Sequence, residues 1–133
     1  MIYGTAVMLR GTIKENHNMV NSELTKKTFK FFKNKKILIT GDTGFKGSWL
    51  SMWLTKLGAK VAGYSLPAEP HQTLAPIMQQ ANFIDHIDGD VRDAPSFNQL
   101  LKNFKPDIVF HLAAQALVRK SYLDPQLTFA TNL

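Results

Sequence analysis

The sequence predicts an α/β chain built on a parallel sheet, and three observations carry that expectation. Short apolar runs without polar alternation recur along it, stripes of helical period separate them, and a glycine-rich turn joins the first run to the first full stripe. Strands alternating with helices at this spacing imply right-handed crossovers, so ligands are expected beyond the carboxyl ends of the strands.

The elements follow in order. Residues 1–22 read as a disordered leader or extension, with Met19 as an alternative start, and residues 23–35 as a basic approach segment. Within it Leu24, Thr28, Phe31 and Phe32 share one helical face, expected to cover a sheet edge. Residues 36–40 form the first strand. From 45 to 57 Phe45, Trp49, Trp53 and Leu57 recur at every fourth position, with Leu50 and Leu54 beside them, giving a wide stripe expected to pack on the sheet. Gly58 ends that helix, because glycine enters the left-handed conformation without a Cβ penalty. Residues 60–64 are the second strand, and Pro67 and Pro70 forbid its continuation. A short helix over 73–81 and a third strand over 83–88 come next. Residues 94–104 place Phe97, Leu100, Leu101 and Phe104 on one helical side, and the fourth strand, 107–112, is expected to be apolar and buried.

The 133 residues amount to about one ordinary domain, and 44% hydrophobic content suffices for one core. The net charge of +6 lies wholly in the first 36 residues, which hold eight Lys or Arg against two Glu; the remainder holds eight against eight. A neutral globular part argues against nucleic acid as a partner, and the lysines before the first strand read as a solvated segment. Cysteine is absent, which excludes disulfides and thiolate metal sites and fits a reducing cytoplasm. No run reaches the roughly 18 apolar residues of a membrane span, and the first residues lack the pattern of a signal peptide.

Thr40-Gly41-Asp42-Thr43-Gly44-Phe45-Lys46-Gly47 lies directly between a strand and a helix. Gly41 permits the sharp exit from the strand, Gly44 keeps side chains away from a pyrophosphate, and Gly47 lets the helix lie close to the sheet. The helix start then offers free N–H groups to phosphates. A Walker A loop would need Gly-Lys-Ser/Thr; the order here is Lys46-Gly47-Ser48, so Lys46 reads as a solvent-facing helix residue.

This spacing resembles that of the extended short-chain dehydrogenase/reductase family, and three further segments agree: Gly89-Asp90-Val91-Arg92-Asp93, His111-Leu112-Ala113-Ala114-Gln115, and Thr131-Asn132. Longer strings, Gly44 to Leu50, Gly63 to Leu66 and Ala113 to Tyr122, resemble the amino-terminal part of that family's CDP-glucose 4,6-dehydratase branch. The resemblance implies part of a Rossmann-type, doubly wound parallel sheet of about four strands with flanking helices. It also implies a cofactor site made by Gly41, Thr43, Gly44, Phe45, Gly47, Asp90, Val91, Leu112, Ala113, Ala114 and Thr131. Asp90 is expected to accept from the adenine amino group beside the Val91 N–H, or else to be a plain strand-end Asp. Thr131 either bonds the nicotinamide side or caps a following helix. Gln115 and Arg119 are either substrate contacts or solvated surface, and His111 reads as a satisfied core histidine. NAD is favoured over NADP by the resemblance, although Tyr64-Ser65 stands where an Asp or Glu usually meets the ribose.

What the resemblance implies chemically is oxidation of a sugar C4 hydroxyl, loss of water across C5 and C6, and hydride return to C6, with CDP-glucose as substrate and a homo-oligomer as the full-length assembly. The family's Tyr-x-x-x-Lys pair is absent, since Tyr3, Tyr64 and Tyr122 precede Val7, Ala68 and Gln126 at that spacing. A truncated chain with no turnover of its own is therefore expected. A nucleotide-sugar epimerase or reductase of the same family, and a non-catalytic NAD(P)-binding module, are the competing readings.

Overall fold

The computed structural model describes residues 23–68 and 84–133, so the leader and the helix expected over 73–81 lie outside the described residues. The chain runs α1 (Glu23–Phe32), β1 (Lys36–Thr40), α2 (Phe45–Lys56), β2 (Lys60–Ser65), β3 (Asp85–Asp88), α3 (Ala94–Phe104), β4 (Ile108–His111), α4 (Val118–Leu123) and α5 (Pro125–Asn132). The strands pair in parallel in the order β3-β2-β1-β4. Strand order reverses between β1 and β4, which makes their carboxyl ends the switch point where open α/β sheets bind ligands.

Two apolar layers hold the sheet. On one face Ile37, Ile39 and Val61 pack with Leu54, Leu57 and Ala59, flanked by Phe32 and Leu50. On the other, Leu38, Ala62 and Tyr64 receive the amphipathic side of α3, namely Phe97, Leu100, Leu101 and Phe104. Asp93 caps α3 by accepting from the Ser96 N–H at 3.2 Å, and Lys105 ends it in the left-handed region at φ 51°. Gly58, at φ +83°, follows α2 as its spacing predicts.

Three expectations are corrected. In α2 the buried residues are Gly47, Ser48, Ser51 and Leu54, whereas Phe45, Trp49 and Trp53 are exposed. The helix starts so close to the glycine turn that only small side chains fit beneath it, so the aromatic half of the stripe faces outward. In α1, Phe32 packs on the layer built from β1, β2 and α2, while Phe31, expected on the same face, is exposed. β4 alternates half-buried and exposed residues because Ile108 and Phe110 pack on the first apolar layer while Val109 and His111, on the opposite face, are exposed; among the described residues β1 is its one hydrogen-bonded neighbour.

Candidate functional site

Gly41 leaves β1 at φ +73°, and its N–H donates to the Tyr64 carbonyl at 3.0 Å. A Cβ there would lie 2.8 Å from the Ala113 nitrogen, so the turns after β1 and β4 touch main chain to main chain. Gly47 is equally constrained, because its Cβ would fall 2.1 Å from the Gly41 carbonyl oxygen. What Gly47 approaches is thus the turn itself, a tighter demand than closeness to the sheet. Gly44 differs. Its φ of −70° and ψ of 164° suit any residue, and a Cβ would meet only the Gly41 oxygen, at 3.3 Å. Gly44 also begins α2 with no side-chain cap, leaving the first helical N–H groups without that partner.

The two residues between Gly41 and Gly44 turn their side chains back onto the sheet. Thr43 Oγ1 lies 2.9 Å from Ser65 Oγ at the end of β2, so only its main chain faces outward for a ligand. Asp42 Oδ2 sits 2.7 Å from His86 Nδ1, and Asp88 Oδ1 lies 3.0 Å from the same ring's Nε2. Burial of His86 disfavours its cation, yet the Asp42 charge and the hydrogen bonds to Asp88 and Asp42 outweigh it and raise the pKa above the ordinary 6.5. The hydroxyls of Tyr64 and Ser65 are both engaged within the protein. Tyr64 is buried against Phe97, with its hydroxyl donating to the Asp90 carbonyl at 3.2 Å, and burial, reinforced by Asp93 and Asp90, raises its pKa.

Beyond β4, Thr40 organises the second turn. Its hydroxyl oxygen accepts from the Leu112 and Ala113 N–H groups at 3.1 and 3.2 Å, so its own hydrogen goes to His111 Nδ1, 2.7 Å away. His111 bonds through Nδ1 but is exposed, so it is not the core histidine expected, and with Nδ1 accepting its N–H is on Nε2. It lines a cleft of about 310 Å³ with Val91, Arg92, Thr131 and Asn132. That cleft brings Val91 and Thr131 together at the carboxyl end of the sheet. Asp90 stands beside it with its carboxylate engaged by Arg92, whose side-chain and main-chain hydrogen bonds lower the Asp90 pKa. An adenine amino group would have to share that carboxylate.

Thr131 does not open a helix. It lies in the last turn of α5 and donates to the Leu127 carbonyl at 2.8 Å. Gln115 is a strut: its amide bonds Leu117 and Thr128, while its main chain exchanges two hydrogen bonds with the Asn132 side chain. Its side chain is consequently committed to hydrogen bonds within the loop. Arg119, by contrast, is exposed on α4. Thr40 and Asn132 stand in the motifs quoted above, but spacing gave no hint of what they bond, nor of His86, since each acts on a partner 17 to 73 residues away. Among the described residues no cluster fit for a metal ion is present and no helix is long and apolar enough to cross a membrane.

Residues 38–133 match the family model described as GDP-mannose 4,6 dehydratase. The chain is 47% identical over 103 residues to CDP-glucose 4,6-dehydratase of Salmonella typhimurium, covering 77% of this chain and 29% of that protein. Among solved structures, an epimerase from Methanothermobacter thermautotrophicus matches with a TM-score of 0.67 at 29% identity, over 77% of this chain and 30% of its own. UDP-glucose 4-epimerase from Brucella ovis, solved in complex with NAD, matches with a TM-score of 0.61 at 26% identity, over 71% and 27%. The chain spans less than a third of the length of each of these relatives.

Proposed function

The chain belongs to the GDP-mannose 4,6-dehydratase family within the extended short-chain dehydrogenases/reductases, and from that premise we propose that it is the NAD-holding portion of a nucleotide-sugar 4,6-dehydratase. Gly44 carries this reading. The fold itself demands glycine at 41 and 47, where a methyl group would strike main chain, but at 44 the conformation suits any residue and a Cβ would meet only the Gly41 carbonyl oxygen, at 3.3 Å, a tight contact and not a clash. Closeness of a ligand accounts for glycine there, and the uncapped start of α2 supplies amides suited to a diphosphate.

Bound here, NAD would supply the hydride acceptor for a sugar hydroxyl. The chain's own contribution is positional: Gly41, Gly44 and Gly47 clear a path for the diphosphate, with the main chain of Thr43 and Phe45 alongside. The cleft lined by Val91, next to Asp90, would take the adenosine end, and because Thr131 lines the same cleft it is assigned there and not to the nicotinamide side; Leu112, Ala113 and Ala114 form the turn that would pass beneath a ribose. Arg119 is the candidate for a nucleotide-sugar phosphate, and CDP-glucose is the substrate favoured by the identity to the Salmonella enzyme. No Tyr-x-x-x-Lys pair occurs in the sequence, so proton transfer is assigned to none of its residues.

The test is calorimetric titration of NAD⁺ and NADP⁺ into the chain and into Gly44→Ala. The expected result is NAD⁺ binding that falls by about tenfold or more in the variant, with a melting curve that shows it still folded. Equal affinity in the variant, or no NAD⁺ binding by folded chain, overturns the reading. Tighter binding of NADP⁺ would overturn the choice of cofactor.

A further inference from the structure

One charged cluster stands behind the glycine turn and outside the cofactor contacts named above. Asp42, the turn's second residue, has a side chain only 2% exposed, and it lies directly over Gly63, where a Cβ would come within 2.2 Å of its carboxylate. Its Oδ1 is buried with no hydrogen-bond partner among the described residues, while its Oδ2 meets His86 Nδ1. His86 is the register partner of Gly63, and its other nitrogen meets Asp88. An uncancelled anion at this position works against a turn that is to receive a diphosphate. Carboxylates only accept, so both contacts of the ring are hydrogen bonds only when both its nitrogens carry protons. A neutral ring would set a lone pair against one carboxylate.

We propose that His86 is a positioning residue for the glycine turn: as an imidazolium clamped between Asp42 and Asp88 it ties the turn to β3, cancels the Asp42 charge, and releases both on deprotonation. The consequence for cofactor rests on the NAD reading above; the clamp itself belongs to the chain without ligand. Among the described residues, the charged groups against His86 are Asp42 from the turn and Asp88 from its own strand. Gly63 and Ser65 of β2, and the buried Gly47, Ser48 and Ser51 of α2, bring no charge to that face. Because the folded-state pKa is raised, the clamp's contribution is complete below the ordinary histidine value of 6.5 and is lost as pH rises through the higher folded value.

Nitrogen-15 NMR of the full chain tests this. Between about pH 6 and pH 9 the His86 ring should start doubly protonated, lose a proton with a midpoint above 6.5, and carry the amide signals of Asp42, Thr43 and Gly44 with it. Asp42→Asn should lower that midpoint and uncouple the amides. Should that variant fail to fold, His86→Asn, which keeps a neutral donor, carries the same test: its turn amides should ignore pH. NAD⁺ affinity should weaken about three- to tenfold over this range in the wild type and stay flat in His86→Asn. A His86 midpoint at or below 6.5 with indifferent turn amides overturns the clamp, as does an unchanged pH dependence in His86→Asn. If NAD⁺ binds at no pH while the amides still follow His86, the clamp stands and the cofactor reading falls.

Discussion

β1 and β4 are spelled almost alike, Ile37-Leu38-Ile39-Thr40 and Ile108-Val109-Phe110-His111, yet the first is wholly buried and the second is half exposed. Composition does not separate them; position does. β1 has a hydrogen-bonded strand on either side and an apolar layer on either face, whereas β4 has one neighbouring strand among the described residues. The turns that follow inherit the difference. After β1, Asp42 and Thr43 are buried and tied to β3 and β2; after β4, Leu112 and Ala114 are exposed. A candidate ligand site therefore lies between a rigid wall and a looser one, joined where Gly41 touches Ala113.

The sharpest way to break the rigid wall is Gly47→Ala. The added methyl would lie 2.1 Å from the Gly41 oxygen, and that neighbour is main chain, which has little room to give. Loss of more than about 3 kcal/mol is expected, seen as a collapsed or absent urea transition. A normal transition would show that α2 can ride up from the turn, and the contrast with Gly44→Ala would lose its meaning. Next in size is the pair Leu38→Ala and Val109→Ala. Leu38 is fully buried between β-strand neighbours and α3, so its truncation should cost about 3 kcal/mol; Val109, 44% exposed, should cost about 1 kcal/mol or less. Equal costs in urea denaturation would mean that β4 is covered in solution.

The same contrast explains which parts of the molecule could be read from the chain alone. β1, the glycine turn, Gly58 and the Phe97–Phe104 face of α3 were legible because each is a local pattern: an apolar run, a fixed spacing, a left-handed stop, a helical period. The exposure of Trp49 and Trp53 was not. Their period marks a helix face but is silent on where the sheet lies, and the decisive demand came from Gly47, Ser48 and Ser51, whose smallness lets α2 descend onto the turn. The edge position of β4 was illegible for a related reason, since strand order is fixed by crossovers and not by composition. In the site, the turn's glycines were visible, whereas the Asp42–His86 contact spans 44 residues and Gln115 looked like any exposed amide until Asn132 was found opposite it.

The smallest effect probes the seam between the two walls. Thr40 is the last residue of β1, fully buried, and its hydroxyl serves His111 and the amides of Leu112 and Ala113. Thr40→Val keeps the shape and removes those bonds. Leu112 retains the Thr40 main-chain carbonyl at 3.1 Å, so the unsatisfied donor is chiefly the Ala113 N–H, and about 1–2 kcal/mol of stability should be lost. The more telling readout is hydrogen exchange: protection should fall at Leu112 and Ala113 and in β4, while β1 and β2 keep theirs, because the central pair is held by its own ladder. If protection fell equally across all four strands, β1 and β4 would open as one cooperative unit, and the division into a rigid and a loose wall would be a matter of exposure alone.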